Sequence, residues 1–214
     1  MFTGIVQGVA AVATLTERPG LRSLSLRCPP GFGVGLQRGA SVAVDGCCLT
    51  VTRVDGDAAS FDVMQQTLGL TTLGALHEGS QVNVERSLVA GAEVGGHILS
   101  GHVDLQARVV ALRTPENNRV LRFAVPAAWM RYVFAKGFIA VDGASLTVSE
   151  TGREADGSGW FEVWLIPETL RTSTFGSKVV GDMVNLEIDR QTQVIVDTVE
   201  RVLAERLRRS PGSG

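Results

Sequence analysis

The chain has 214 residues, of which 44% are hydrophobic and 20% charged, and its net charge is −2. This balance is typical of globular proteins and excludes the strongly basic surface of a nucleic-acid-binding protein. No apolar run approaches the roughly 18 residues of a membrane span, no signal peptide is evident, and an odd number of cysteines argues against a disulfide framework, so we expect a cytoplasmic protein.

Several sequence blocks of the first half return in the same order in the second half. TGIVQGVAAV, from Thr3, corresponds to SGHVDLQARV, from Ser100, and VDGCCLTV, from Val44, corresponds to VDGASLTV, from Val141, both at an offset of 97 residues. For QQTLGLTTLG and PETLRTSTFG the offset is 102, because the second copy carries a longer loop, GREADGSG. The shared order and single insertion indicate an internal duplication of a small domain.

Each copy is dominated by short strand patterns. Runs such as SVAV, SFDVM, QVNVE, RVLRFAV and WFEVWLI are rich in β-branched residues and end at glycine, proline or charged turns. The chain is therefore predicted to be all-β, with a small closed antiparallel barrel in each copy. A short helical turn is predicted after Pro126, with Trp129, Met130 and Val133 in the core.

The segment DTVERVLAERLRR predicts one longer helix near the end of the chain. Asp197 is a candidate N-cap with Glu200 three residues later, and arginines crowd the last turn. Two interpretations remain open for its apolar stripe, which either packs on its own barrel or contacts another subunit. The final SPGSG is predicted to be disordered. The predicted divisions are residues 1–96 and 97–193 for the two barrels and 194–209 for the helix.

Asp45-Gly46 and Asp142-Gly143 are strong signals for two-residue hairpin turns. Such a turn fixes which residues pair across the hairpin and which share a face. In the first copy the apolar face carries Val42, Val44, Cys47, Leu49 and Val51, and the other face displays Ser41, Ala43, Cys48 and Thr50. The second copy displays Phe138, Ala140, Ser145 and Thr147. A solvated strand face is one interpretation, but neither displayed face carries Lys or Glu, which favours a ligand platform.

Two histidines, His97 and His102, lie in GGHILSGHVD. Their spacing relative to Cys47 and Cys48 matches no zinc pattern, and adjacent residues of a strand point to opposite faces, so no metal site is predicted. His102 aligns with Ile5 of the first copy. A histidine present in one copy only is a candidate for proton transfer, and equally a candidate for a structural, hydrogen-bonded side chain.

The blocks MFTGIVQG, VDGCCLTV, GGHILSGHVD, KGFIAVDGASLTV and LIPETL resemble, in this order, the riboflavin synthases of the alpha-chain type, from Met1 to about Leu207. The resemblance implies two six-stranded Greek-key barrels and a C-terminal helix that assembles a homotrimer. It implies a transferase that converts two 6,7-dimethyl-8-ribityllumazine molecules into riboflavin and 5-amino-6-ribitylaminouracil by four-carbon transfer, without a cofactor or metal. The reacting ligands would lie in facing N- and C-barrels of neighbouring subunits, and lumazine synthase is a further partner that the resemblance suggests.

The resemblance also assigns substrate-binding residues to a pocket in each barrel. Those of the N-barrel pocket are Gly4, Ile5, Val6, Ser41, Cys48, Leu49, Thr50, Asp62, Val63, Met64, Gln65, Gln66 and Thr67. Those of the C-barrel pocket are Gly101, His102, Val103, Lys136, Ser145, Leu146, Thr147, Trp164, Leu165, Ile166, Pro167, Glu168 and Thr169. Leu49 and Leu146 would contribute backbone groups while their side chains stay in the core. Ribityl hydroxyls would find polar partners at Ser41, Thr50 and Thr67.

The implied reaction requires loss of a proton from the 7-methyl group of one lumazine and addition of a nucleophile to C7 of the other. His102 and Thr147 are the candidates for the proton transfer. Cys48 or Ser145, or a water that they hold, is the candidate nucleophile. Phe2 is expected to close the N-barrel pocket.

Two positions depart from the family pattern: Gln66 stands where a glutamate is common, and Trp164 where a smaller or more polar residue is expected. Two other interpretations remain open. One is a non-catalytic lumazine- or flavin-binding protein of the same fold. The other is the flavin-binding barrel of a reductase, for whose nucleotide-binding domain no residues remain.

Overall fold

The computed structural model describes residues 1–209, which form two β units followed by one long helix. The first unit is a closed barrel with the strand order β1-β2-β5-β4-β3-β6. Its strands are β1 (Gly8–Arg18), β2 (Leu21–Arg27), β3 (Ser41–Val44), β4 (Cys47–Asp55), β5 (Ala58–Met64) and β6 (Gln81–Arg86). A short helix, α1 (Gln65–Leu70), and a 3-10 turn (Thr72–Ala75) connect β5 to β6.

The second unit repeats this plan with one strand interrupted. Its elements are β7 (Leu105–Arg113), β8 (Arg119–Val125), α2 (Ala127–Met130), β9 (Phe138–Val141), β10 (Ala144–Thr147), β11 (Glu150–Arg153), β12 (Gly159–Leu165), α3 (Pro167–Thr172) and β13 (Met183–Ile188). The sheet order is β10-β9-β13-β7-β8-β12-β11. The all-β prediction with two similar units is confirmed, but the second sheet has seven strand segments, not six.

The extra segment has a local cause. β10 and β11 together correspond by sequence offset to β4, whose pairing register with β5 already shifts between Val51 and Arg53. At the equivalent place in the second unit, Val148 and Ser149, the strand is interrupted. β10 and β11 lie at the two ends of the sheet order because they are two halves of one interrupted strand. The inserted loop follows directly, between β11 and β12.

The predicted hairpin registers are confirmed in both units. Val44 pairs with Cys47 and Ser41 with Thr50, while Val141 pairs with Ala144 and Phe138 with Thr147. The apolar face of each hairpin is buried in the core of its own barrel. The predicted core contacts after Pro126 are also present, since Met130 and Val133 are buried and Trp129 packs at the core's edge.

The two hairpin tips meet between the barrels in reciprocal contacts. Asn83 Nδ2 donates to the Asp142 carbonyl at 3.0 Å, and Asn185 Nδ2 donates to the Asp45 carbonyl at 2.9 Å. A Cβ added to Gly46, whose φ is +80°, would lie 2.8 Å from the Gly143 nitrogen. This reciprocity describes an approximate twofold axis through the interface, and the glycines allow the backbones to approach closely.

One residue of each displayed hairpin face, Ala43 or Ala140, is buried against the other barrel. Phe2, Ala43, Leu99 and Ala140 form a buried cluster at the interface, with Cys48 packed at its edge. Phe2 and Leu99 are joined by two backbone hydrogen bonds of 2.9 and 3.0 Å. The expectation that Ala43 and Ala140 are displayed for a ligand is therefore wrong, because inter-barrel packing covers them.

Helix α4 (Arg190–Arg209) begins seven residues before the predicted N-cap, so the predicted division at residue 194 falls inside it. The carboxylate of Asp189 accepts hydrogen bonds from the backbone N–H groups of Gln191 and Thr192 at 3.3 and 3.1 Å, which satisfies the first turn. Asp197 instead accepts a 2.6 Å hydrogen bond from the Tyr132 hydroxyl. The predicted disordered SPGSG lies outside the described residues.

Part of the apolar stripe of α4 packs on its own barrel, and part of it remains available for contact with another subunit. Val196 packs against the core of the second barrel. The other large apolar side chains of the helix are exposed: Val194, Ile195, Val199, Val202, Leu203 and Leu207. Most of the stripe therefore remains uncovered by its own chain. No helix within residues 1–209 has the length and hydropathy that crossing a membrane requires.

Candidate functional site

Two short segments cross from one barrel to the other, and we call them the crossing segments: residues 3–6 before β1 and residues 100–103 before β7. Each starts on a glutamate of its own barrel. Thr3 donates from its backbone and its hydroxyl to Glu85, both at 2.7 Å, and Ser100 donates in the same way to Glu187 at 2.7 and 2.6 Å. Burial raises the pKa of Glu85.

Beyond this anchor, each segment contacts the hairpin of the opposite barrel. The Ser145 backbone N–H donates to the Gly4 carbonyl at 2.8 Å, and the Cys48 N–H donates to the Gly101 carbonyl at 2.8 Å. Val6 packs against the core of the second barrel, and Val103 lies in the core of the first. The prediction that residues 4–6 share a pocket with Cys48, and residues 101–103 with Ser145, is therefore wrong: the segments are exchanged.

Glycine is required at both crossing points. Gly4 and Gly101 have φ angles of +74° and +78°, in the left-handed region. A Cβ added to Gly4 would lie 2.5 Å from the Ser145 Cβ, and one added to Gly101 would lie 2.6 Å from the Cys48 Cβ. The backbone of each crossing segment thus lies directly against the residue predicted to be a nucleophile.

The exchange creates a groove in the second barrel of about 240 Å³, which we call the second groove. Its lining combines a crossing segment of the first copy with β10 and α3 of the second: Gly4, Ile5, Val6, Ala144, Ser145, Leu146, Glu168, Thr169, Thr172 and Ser173. By sequence offset, the first-barrel positions equivalent to this lining are residues 101–103, residues 47–49, Gln66 and Thr67. The hydrogen bond between Cys48 and Gly101 joins two of these groups, and we refer to these equivalent positions as the first groove. Each groove is therefore built from both barrels.

Each barrel also holds the other's groove in place. The Asn83 side-chain oxygen accepts a hydrogen bond from Thr174 N at 2.8 Å, directly after α3 of the second groove. The Asn185 side-chain oxygen accepts one from Thr72 N at 2.8 Å, directly after α1 of the first groove. Both asparagines are buried, so these bonds fix the short helices relative to the opposite barrel.

The remaining predicted binding residues fall into two groups. The side chains of Leu49, Val63, Val103 and Leu165 are buried in the cores, so only their backbone groups can reach a ligand. The other group is exposed: Thr50, Met64, Gln65, Gln66, Lys136, Thr147, Trp164, Ile166, Pro167 and Glu168. The Arg171 guanidinium lies 2.6 Å from Glu168 and lowers the pKa of that carboxyl.

Among the predicted residues outside the lining of the second groove and its first-barrel equivalent, Asp62, Trp164 and Ser41 have identified contacts elsewhere. Asp62 accepts a 2.7 Å hydrogen bond from the Ser23 hydroxyl on the outer surface of the first barrel. Trp164 occupies the equivalent position of the second barrel, with the Arg113 guanidinium 5.7 Å from its ring. Ser41 lines a separate cavity of about 600 Å³ together with Ile5 and Glu85.

Ser145, which lines the second groove, makes a histidine contact that the repeat comparison did not reveal. His97 Nδ1 lies 2.6 Å from the Ser145 hydroxyl, and the imidazole stacks on Phe138 with a centroid distance of 5.3 Å. Burial lowers the pKa of His97, which favours the neutral ring. His97 has no counterpart in the first copy at the offset of 97 residues, so alignment of the repeats gave no signal for it.

His102 differs from His97 in its surroundings. Its side chain is exposed, and its backbone is held by Ser100 and by Arg190. The crossing of residues 100–103 brings it to the first groove, beside Cys48. The two histidines therefore lie near different hairpins: His97 contacts Ser145, and His102 follows the glycine that contacts Cys48.

The cysteines differ in burial. Burial raises the pKa of Cys47 to about 12 and that of Cys28 to about 11, so both are thiols at neutral pH. Cys48 is only partly buried and lies at the groove. Within residues 1–209, no three or more His, Cys, Asp or Glu side chains are grouped closely enough to hold a metal ion.

Comparisons with known proteins agree with this duplicated, ligand-binding architecture. The model of the lumazine binding domain family matches residues 3–87 and again residues 100–189. The chain is 50% identical over 207 residues to riboflavin synthase of Escherichia coli strain K12, which covers 96% of this chain and 95% of that protein. It is 42% identical over 204 residues to riboflavin synthase of Chlamydia pneumoniae, with 95% and 98% covered.

A solved structure shows the same fold with a ligand. The crystal structure of LumP complexed with riboflavin matches with a TM-score of 0.79 at 25% identity, over 89% of this chain and 100% of that chain. Two family matches in tandem and full-length identity of this level leave no other family to consider. The chain therefore belongs to the lumazine binding domain family and, within it, to the riboflavin synthases.

Proposed function

We propose that this chain catalyses the conversion of two 6,7-dimethyl-8-ribityllumazine molecules into riboflavin and 5-amino-6-ribitylaminouracil. The observation that carries the proposal is the matched exchange of the crossing segments: Gly4 binds the backbone of Ser145 in the second barrel, and Gly101 binds that of Cys48 in the first, both at 2.8 Å. A reaction between two copies of one molecule needs two sites of one kind, and an internal duplication supplies them. The full-length identity to riboflavin synthases supports the same conclusion.

The grooves share a binding plan. In each, backbone groups beside Leu49 or Leu146 are available to the edge of a ring, because their side chains point into or towards the core. Thr67 and Thr169 lie at the start of the short helices that follow β5 and β12. We assign recognition of the ring to these backbone and hydroxyl groups, and recognition of the ribityl hydroxyls to Ser41, Thr50 and their surroundings.

The grooves differ in chemistry. In the second groove the Ser145 hydroxyl is 2.6 Å from a buried imidazole that is neutral near pH 7 and can therefore take up the hydroxyl proton. We assign to Ser145, or to a water that it holds, the addition to C7 of the lumazine in this groove, with His97 as the base. His102, at the first groove, is assigned to proton removal from the 7-methyl group of the other lumazine. Thr147 remains a second candidate for proton transfer.

The two grooves of one chain are separated by the buried cluster of Phe2, Ala43, Leu99 and Ala140. We therefore propose that ligands react across neighbouring chains, with the first groove of one chain facing the second groove of the next. Alignment of two reactants in this way contributes up to about 7–11 kcal/mol to lowering the barrier. The exposed apolar residues of α4 supply a surface for such an assembly, which we propose to be a homotrimer.

The test is incubation of the purified protein with the lumazine alone. Repeated turnover, with one riboflavin formed for every two lumazines consumed, is expected. A stoichiometric complex without turnover would contradict the proposal and would instead support a binding protein of the same fold. Light scattering tests the trimer against the 22.7 kDa mass of one chain. Association with lumazine synthase is tested separately by co-elution of the two purified proteins, and the proposed cytoplasmic location by cell fractionation.

A further inference from the structure

Arg190, the first residue of α4, contacts the crossing segment that forms the first groove. Its Nη2 donates to the His102 carbonyl at 2.8 Å, and its Nη1 donates to Asp104 Oδ1 at 2.9 Å. Gln193, one turn further along the helix, accepts a second hydrogen bond from Nη1 at 2.7 Å. The guanidinium thus binds the backbone carbonyl before Val103 and the side-chain carboxylate after it.

The equivalent segment of the first copy is held without this contact. Both crossing segments share the glutamate anchor, and both share a backbone bond to a side-chain oxygen: Ile188 N donates to Asp104 at 2.8 Å, and Arg86 N donates to Gln7 at 3.0 Å. The position equivalent to Arg190 in the first copy is Leu88, whose side chain has no hydrogen-bond donor. The arginine therefore adds a contact to residues 102 and 104 that the first copy lacks.

The held residues include the one assigned to proton transfer. Gly101 is fixed against Cys48, and Val103 is buried in the first barrel. Between them the His102 side chain is exposed and has freedom to turn, so the orientation of its Cα–Cβ bond depends on the backbone on either side. The bond from Arg190 to the His102 carbonyl fixes that backbone at the histidine itself.

We propose that Arg190 is a positioning residue for the first groove: it sets the direction of His102 and joins that groove to the start of α4. The proposal rests on the proposed function, because that function assigns proton transfer to His102. Displacement of a reacting group by about 1 Å costs up to about a hundredfold in rate. Because Gly101 and Val103 still restrain the segment, we expect loss of Arg190 to cost about tenfold.

The experiment replaces Arg190 by leucine, the residue of the first copy. Arg108→Leu is the matched control, because Arg108 also donates to a backbone carbonyl, that of Gly181 at 3.1 Å, but holds no groove residue. Arg190→Leu should lower kcat about tenfold with a smaller change in KM. Arg190→Lys, which keeps one donor, should recover part of the loss. Arg108→Leu should match the wild type.

Riboflavin binding identifies the affected groove. In a Thr169→Arg background, where an arginine is placed in the lining of the second groove, Arg190→Leu should weaken the remaining binding several-fold. In a Thr67→Arg background, the equivalent change in the first groove, it should have no effect. Equal weakening in both backgrounds, or unchanged kcat and binding in Arg190→Leu, overturns the inference. A wild type that binds riboflavin but makes none refutes the proposed function, while these titrations still decide whether Arg190 acts on the first groove.

Discussion

The buried ion pair between Lys178 and Asp142 leads to a quantitative prediction. The Lys178 ammonium lies 2.8 Å from Asp142 Oδ2, and the two side chains are 17% and 0% exposed. Burial raises the pKa of both Asp142 and Asp45, which lie on the facing hairpin tips. Burial alone would lower the pKa of Lys178, but the two carboxylates raise it on balance. The positive charge of Lys178 therefore compensates the negative charge of Asp142 and Asp45 at the inter-barrel interface.

Replacing Lys178 by methionine leaves Asp142 buried without its cation. Breaking a buried pair in this way typically costs about 3–5 kcal/mol. Asp142 can limit the loss by taking up a proton, which costs about 1.4 kcal/mol for each pH unit above its ordinary pKa, or about 4 kcal/mol at pH 7 and about 2 kcal/mol at pH 5. Because the pKa of Asp142 is raised in the folded variant, the variant keeps its free energy of unfolding at low pH and loses it as the pH rises.

Urea unfolding of the wild type and the variant at a fixed protein concentration measures the loss of unfolding free energy at pH 5 and at pH 7. Lys178→Met combined with Asp142→Asn should recover most of the loss, because no buried charge is left unpaired. Arg53→Met is the exposed control: its pair with Asp55 is about three-quarters exposed on both sides, and we expect a loss of at most about 0.5 kcal/mol. A loss that is equal at the two pH values, or below about 1 kcal/mol at pH 7, would refute this reasoning.

Further outcomes follow from the site and the helix. Cys48→Ser should keep part of the activity, since Ser145 already occupies the equivalent position; complete loss would indicate a specific requirement for the thiol. His97→Asn should lower kcat about a hundredfold and remove the acid limb that a lowered histidine pKa places below about pH 6.5; an unchanged pH profile would argue against a base at this position. Deletion from Asp197 onwards should leave folded barrels by circular dichroism but remove most activity, and a fully active truncated monomer would contradict assembly through α4. Gly46→Ala should destabilise the protein by more than 1 kcal/mol, since its φ is +80° and the Gly143 nitrogen lies 2.8 Å from the added Cβ; a thermal midpoint equal to that of the wild type would contradict this.

The sequence predicted what depends on local chemistry. An Asp-Gly turn determines pairing over the next few residues, so the register from Ser41 to Thr50 and the inward face of both hairpins followed from residue type alone. Because the blocks of the two copies are separated by an offset of 97 residues before the inserted loop and 102 after it, the strands of the second copy could be located from those of the first. The helix after Pro126 and the inserted loop between β11 and β12 followed for the same reason.

The remaining features depend on contacts distant in sequence. A glycine at positions 4 and 101 signals a close approach, but nothing in the neighbouring residues says which backbone it approaches, and the opposite barrel proved to be the partner. The early start of α4 depends on the carboxylate of Asp189. The predicted cap, Asp197, instead accepts a hydrogen bond from Tyr132, which lies 65 residues away in the sequence. The sequence assigned His97 no role beyond an excluded metal site, because its contact is with Ser145, 48 residues away.

The exchange of the crossing segments has a consequence for how such a chain can evolve. After a gene is doubled, one copy is ordinarily free to accumulate changes while the other preserves the original task. Here a change at Gly4 alters the surroundings of Ser145, and a change at Gly101 alters those of Cys48. Mutational damage to either half therefore reaches the other half's pocket, and selection acts on both halves as a single heritable unit.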